Sequence, residues 1–387
     1  MFFSLSFNLD NRFPNHYQFG ELILNTDQGW KFKDLDNVFI VYKGYCDDFS
    51  IDDILLDVNV RYGNFCIFRY NKETKQIDVY TDHWRSFIIW VDESKEITNL
   101  TQHLHTIWVD SDIKINQDLS VVETKKDIIG DIDTNFISLD EFLKFAYQRF
   151  YSRIKDFISN NKLPLHIFLS GGIDSMLVFS FIKRITSDYK HIFENRIEWD
   201  YFWCQNHKHI TQHFWGYTQI HHWNEPCVLS SGAPGDEFMF RNPNMTYVWG
   251  KYHNIDIERY FDRDYHYSQK SYFFKKPFAD YDKNIHNMSL KDFNYYLCNQ
   301  VINDCQHWHL GNTLTFTPLR DLDIFKMFLR LPAENLGTQI GGGEISLKLI
   351  EMNDPELLNY LSSTKNVASS FHNLIHLMDK VSATSGQ

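Results

Sequence analysis

The stretch Leu165-His-Ile-Phe-Leu-Ser-Gly-Gly-Ile-Asp-Ser175, continuing as Met-Leu-Val-Phe-Ser-Phe-Ile-Lys-Arg184, constrains this chain more than any other. Leu165 to Leu169 predicts a buried strand, Ser170-Gly171-Gly172 a turn, and Met176, Leu177, Phe179 and Ile182 the apolar face of a helix opening at Asp174. A strand that enters a helix through glycines aims backbone N–H groups and the positive end of the helix dipole at one point, which suits an anion. The glycines let a phosphate reach the backbone, and Ser170 and Ser175 add hydroxyl donors. The loop has no Gly-Lys-Ser/Thr ending, and Asp174 stands in the corresponding region. An acid beside phosphates calls for a cation between them, so Asp174 is a candidate Mg²⁺ ligand. The plain alternative is an ordinary glycine turn capped by Asp174.

The second informative stretch is Cys227-Val-Leu-Ser-Ser-Gly-Ala-Pro-Gly-Asp-Glu-Phe-Met-Phe-Arg241, a strand end running into a glycine-rich turn and two acids. The order Ser-Gly-Gly-Ile-Asp-Ser resembles the pyrophosphate loop of the N-type ATP pyrophosphatases (the PP-loop superfamily). The later stretch resembles the Ser-Gly-x-Gly-x-Asp-Glu loop of asparagine and β-lactam synthetases, with Ser231, Gly232, Asp236 and Glu237 in register. The resemblance implies a doubly wound parallel-sheet domain that binds ATP through Leu169, Ser170, Gly171, Gly172, Asp174, Ser175, Ser231 and Gly232. It implies Mg²⁺ held by Asp174 and Asp236. Thr315-Phe-Thr-Pro-Leu-Arg-Asp321 is similar to the family's Arg-x-Pro-Phe-Leu-Asp turn, matching at Pro318 and Asp321. Lys365 lies at about the distance from Pro318 where the family keeps a catalytic lysine, which implies charge stabilisation at the α-phosphate. Three positions depart from the pattern: Ala233 replaces a Glu or Tyr that serves the active site, Pro234 replaces a glycine, and Phe316 replaces an arginine near the acceptor.

Upstream, residues 1 to about 120 predict an antiparallel β-rich unit, with strands over Phe2–Leu9, Asn37–Tyr42, Asn64–Tyr70, Gln76–Thr81 and Ser86–Val91. The run from Gly63 to Phe87 is similar to the glutaminase-like (Ntn-hydrolase-like) domain of asparagine synthetases, with Asp82 and Arg85 at comparable places. That family's glutaminase uses an N-terminal cysteine, whereas this chain begins Met1-Phe2-Phe3, so a catalytically silent copy is expected. A polar connection over about 92–137 marks the domain boundary, giving units 1–120 and 121–387. Ser138 and Glu141 form a capping box for a helix whose apolar face carries Phe142, Ala146, Phe150, Ile154 and Phe157.

Tyr201-Phe-Trp-Cys204 is a candidate for the next strand, with residues just after Trp203 near an adenine. Cys204, His207, His209 and His213 read as a solvated loop rather than a zinc site, because no second ligand cluster follows. Gly341-Gly-Gly343 reads as a flexible turn before a helix bearing Ile345, Leu347, Leu349 and Ile350. A formal charge of −12, with no basic cluster, argues against a nucleic-acid partner. Six scattered cysteines and the absence of a leader or a membrane-length apolar run predict reduced thiols and a cytoplasmic protein.

The expected activity is an ATP-dependent amide-forming ligase. It would act on small carboxylate and amine substrates through an acyl-adenylate, release AMP and pyrophosphate, and hydrolyse no glutamine itself. Two alternatives are an adenylating enzyme that modifies a nucleobase or tRNA, and a nucleotide-binding regulatory module without turnover.

Overall fold

Alternation of apolar and polar residues builds the first part of the chain. In a computed structural model, the described residues are 3–46, 63–82, 89–91, 96–98, 105–106, 111–125, 133–169, 172–193, 226–232, 235–241, 249–254, 287–294, 296–297 and 313–361. Twelve strands come first: β1 (Phe3–Ser6), β2 (Asn15–Phe19), β3 (Leu22–Thr26), β4 (Lys31–Asp34), β5 (Val38–Cys46), β6 (Gly63–Asn71), β7 (Ile77–Thr81), β8 (Trp90–Val91), β9 (Ile97–Thr98), β10 (His105–Thr106), β11 (Ser111–Ile115) and β12 (Val121–Lys125). They form two antiparallel sheets in the orders β10-β8-β9-β1-β3-β2 and β12-β11-β7-β6-β5-β4. Phe3, Leu5, Leu22 and Leu24 of the first sheet share one core with Val41, Phe68, Ile77, Val79 and Ile113 of the second. On β7 only alternate residues are buried, as expected for a strand with one face on the core. The central strands β5 and β6 are buried on both faces, since Ile40, Tyr42, Phe65 and Ile67 form a further cluster on the other side. That explains their nearly unbroken apolar runs.

The connection expected over 92–137 holds paired strands instead. β11 pairs β7, and Ser111–Ile115 pairs in register with β12, so the break expected after residue 120 falls inside a ladder. Charged, half-solvated strands such as Ser-Asp-Ile-Lys-Ile and, at the edge of the sheet, Val-Val-Glu-Thr-Lys look like linker because they present few apolar residues.

Helix α1 (Leu139–Asn160) starts at the expected capping box: Glu141 N–H donates to Ser138 Oγ at 3.2 Å, and Ser138 N–H donates to Glu141 Oε2 at 2.8 Å. It buries Phe142, Ala146, Phe150, Ile154 and Phe157, the face read from spacing, together with Arg153. Then follow β13 (Leu165–Leu169), α2 (Ile173–Ile185), β14 (Lys190–Phe193), β15 (Cys227–Ser230), α3 (Gly235–Phe238), β16 (Thr313–Phe316), α4 (Leu322–Phe328), α5 (Ala333–Gly342), α6 (Glu344–Asn353) and a 3-10 segment, Pro355–Tyr360. The four strands form a parallel sheet in the order β14-β13-β15-β16, and α2 packs against α1 and α6. The protein is thus mixed α/β, with antiparallel sheets first and a parallel sheet after them. Gly341 and Gly342 close α5 and Gly343 joins it to α6, so the three glycines are a helix–helix junction rather than a flexible turn.

Among the described residues, the two parts meet at several places. The Tyr45 ring lies 4.9 Å from Phe157 and 5.8 Å from Phe316, Asn64 Nδ2 donates to Thr315 O at 3.2 Å, and Arg320 lies 3.9 Å from Asp82, both side chains buried. Among the described residues no helix is long and apolar enough to cross a membrane.

Candidate functional site

The order β14-β13-β15-β16 fixes where a ligand can sit. From β13 the chain passes to β14 on one side of the sheet, while β15 and β16 lie on the other. The carboxyl ends of β13 and β15 therefore flank a topological switch point, where loops diverge and leave a crevice. Both glycine-rich stretches leave the sheet at this place. β13 enters α2 through Gly172, whose backbone is extended (φ −77°, ψ 161°) and which caps the helix with no side-chain acceptor. Asp174 lies in the first turn of α2, where a carboxylate interacts favourably with the helix dipole.

The second stretch packs directly onto the first. A Cβ on Gly232 would collide with the backbone of Asp174 and Ser175. A Cβ on Gly235 would collide with the Asp174 side chain, coming within 2.8 Å of Oδ1. No side chain fits at either position, which is the physical reason for glycine there. Gly235 N–H donates to Gly232 O at 2.7 Å, closing the turn into α3. Asp236 follows Gly235 within α3, so its backbone is one residue from the Asp174 carboxyl.

The sequence-derived residues fare differently. Leu169 is buried in the core, and only its backbone remains to meet a ligand. Ser175 is buried and its hydroxyl donates to Gly172 O at 3.0 Å, back into its own helix turn. Ser231 is buried, with its N–H on Phe316 O at 3.3 Å. Ser170, Gly171, Ala233, Pro234, Arg85 and Lys365 lie outside the described residues, as do Tyr201–Cys204, His207, His209 and His213. The strand next to β13 among the described residues is β14, which the sequence reading did not propose. Phe316 is turned away from any ligand role: its ring is fully buried and stacks on Phe157 at 3.8 Å with 7° between planes. Asp321 is also fully buried. It caps α4 through Ile324 N–H at 3.1 Å and accepts Arg149 Nε at 2.7 Å.

Arg241, which the sequence reading passed over, belongs to the site. Its Nη1 donates to Asp174 Oδ1 at 2.8 Å, with the two side chains 21% and 18% exposed. The only sequence signal was a cation closing the stretch that carries the two acids. Magnesium takes few protein oxygens, because it keeps water and phosphate ligands. Asp174, a single carboxyl group beside the start of α2, fits that demand. Among the described residues no three His, Cys, Asp or Glu side chains are grouped to hold a metal. No family of known proteins and no curated protein matches this chain.

Proposed function

We propose that the chain is an ATP-dependent amide-forming ligase built like the asparagine and β-lactam synthetases. A doubly wound ATP pyrophosphatase unit would follow a degenerate glutaminase-like one. The observation that carries the reading is the contact of Gly235 with the carboxyl of Asp174, which joins the two motifs at the crevice between β13 and β15. A glycine-capped helix start with no side-chain acceptor supports it, since its first N–H groups suit a pyrophosphate.

In this reading a substrate carboxylate oxygen attacks the α-phosphorus of ATP. The bond from that phosphorus to the bridging oxygen breaks, and pyrophosphate leaves. An amine then attacks the acyl carbon of the adenylate and AMP departs, leaving an amide. The turn from Leu169 to Ser175, with Ser231 and Gly232 behind it, would position the phosphates, and Asp174 and Asp236 would hold Mg²⁺. The ion, when bound, offsets charge on the β and γ phosphates. Lys365 would stabilise charge growing on the α-phosphate.

The test is incubation of the full chain with ATP, Mg²⁺ and pooled amino acids, followed by assay of AMP and pyrophosphate. The ligase reading expects both products in equal amounts and their loss in Asp174→Asn. ADP as product, or cleavage indifferent to Asp174→Asn, would refute it. A second reading, a nucleotide-binding module without turnover, is favoured by one observation. At the position where the resembled family keeps an arginine near its acceptor, the Phe316 ring is sealed against Phe157. ATP binding without AMP release across all acids would select that module.

A further inference from the structure

We infer that Arg241 is a built-in counter-ion that occupies Asp174 until nucleotide phosphates draw it off, so that the metal enters this site with or after the nucleotide. This rests on the nucleotide-binding reading of the crevice.

The chain goes to some expense to put Arg241 there. Phe240, the residue before it, has φ +55°, a left-handed conformation that a bulky residue adopts only under constraint. The constraint is visible: the Phe240 ring is buried against Trp249, Phe325 and Phe328, at 5.8, 6.0 and 6.3 Å. Gln339 Nε2 donates to Met239 O at 2.7 Å and ties the end of α3 to α5. This reversal at Phe240 sends Arg241 back over the start of α2. The arginine passes close to Gly343, where a Cβ would lie 3.3 Å from Nε. Nη1 ends on Asp174 Oδ1.

Arg241 is bonded to Oδ1, so a divalent cation on this carboxylate meets a guanidinium charge beside it, whichever oxygen it takes. Metal alone must either displace Arg241 or bind next to a fixed positive charge. A phosphate chain at the start of α2 changes that balance. It offers the guanidinium a bidentate anionic partner, a match for its fork of donors, and frees the carboxylate for the metal. Binding of nucleotide and of metal is then positively coupled through one side chain, and the coupling is reciprocal.

The experiment uses the full chain with Mn²⁺ as the metal and the α,β-methylene analogue of ATP as a nucleotide that cannot be cleaved. Free Mn²⁺ is followed by electron paramagnetic resonance and analogue binding by calorimetry in a chelator. Arg241→Gln should tighten Mn²⁺ binding in the absence of nucleotide by about tenfold. It should weaken the analogue in chelator by a similar factor, and shrink the enhancement of Mn²⁺ affinity that the analogue gives the wild type. Arg241→Lys keeps a charge without the fork; it should leave Mn²⁺ affinity near wild type and still weaken the analogue. That variant carries the test if the glutamine variant does not fold, which its circular dichroism reports. Wild type that binds Mn²⁺ and analogue through Asp174, with both arginine variants behaving as wild type, overturns the role of Arg241 alone. Wild type that binds no analogue, with or without Mn²⁺, overturns the nucleotide site and this inference together.

Discussion

Asp321 offers the sharpest test of how the second part of the chain is held together. Its carboxylate is fully buried and has three partners: Ile324 N–H at 3.1 Å, Arg149 Nε at 2.7 Å and Arg153 Nη1 at 3.6 Å. Asp321→Ala removes the cap of α4, a loss of about 1 kcal/mol. It also leaves the charge of Arg153, 3% exposed, without its acid, and breaking a buried pair costs about 3–5 kcal/mol. Two features put this chain at the low end of that range. Arg153 Nη1 still donates to Pro318 O at 3.0 Å and Arg320 O at 2.6 Å, and Arg149, 27% exposed, can turn toward water and Asp323. The expected total is about 4 kcal/mol. Asp321→Asn keeps an oxygen for the cap, so it should cost about 1 kcal/mol less than Asp321→Ala. Adding Arg153→Met to Asp321→Asn removes both charges and should recover part of the loss, since a buried pair is replaced well by apolar groups. Urea unfolding followed by helical circular dichroism reads this part of the chain, because among the described residues every helix lies beyond residue 138. A cost below about 1 kcal/mol for Asp321→Ala, or equal costs for Ala and Asn, would refute the reasoning.

The two crevice glycines should separate in ligand binding. Gly232→Ala meets the backbone of Asp174 and Ser175, and Gly235→Ala meets the Asp174 Cβ, which no rotamer change moves, so each should destabilise by about 1–3 kcal/mol; only Gly235→Ala also presses on the Asp174 carboxyl, so under the proposed function it should weaken binding of the ATP analogue more, and the same urea titration and calorimetry decide. Phe316→Ala should cost about 3–5 kcal/mol by opening a cavity between Phe157 and Tyr45, and Phe316→Arg at least as much by burying a charge; if either unfolds at the wild-type urea midpoint, the packing role is wrong. His253, packed among Trp249, Tyr252 and Phe293, has its pKa pushed down by burial. The unfolded chain then takes up this proton more readily than the folded one, so its contribution to stability is full above about pH 6.5 and is lost as pH falls below it. His253→Phe should flatten the acid limb of the urea midpoint against pH, and unchanged slopes would count against the burial argument.

How much was legible in the sequence follows from the range of the interactions. The capping box at Ser138 and Glu141, the strand Leu165–Leu169 and the helix after Gly172 are local devices, and each formed where the residues indicated. β2, β4, β11 and β12 were not proposed, because strands with one solvated face and many charges carry too few apolar residues to show alternation. Arg153 sits on the buried face of α1 against any hydrophobicity rule. Its place is set by carbonyl groups at Pro318 and Arg320, far along the chain. The pairing of Arg241 with Asp174 likewise spans two loops that only the sheet order brings together.

The same sheet order explains why Phe316 is a packing residue while the neighbouring strand ends carry the two glycine-rich stretches. Among the described residues β16 lies at one edge of the sheet, and its carboxyl end meets the first part of the chain: Tyr45 on Phe316, Asn64 on Thr315 O, and Asp82 facing Arg320 just beyond. An arginine at 316 would bring a charge between Tyr45 and Phe157 with no acid among the ring contacts there, at a desolvation cost that a stacked phenyl ring avoids. β13 and β15 are inner strands whose ends diverge at the switch point, and their carboxyl termini carry Gly172 and Gly232 in place of large side chains. The small residue at 232 makes room for the start of α2, so the two glycine-rich stretches meet between those strands. With Phe316 given over to packing, the cation that reaches Asp174 is Arg241, from the segment after β15.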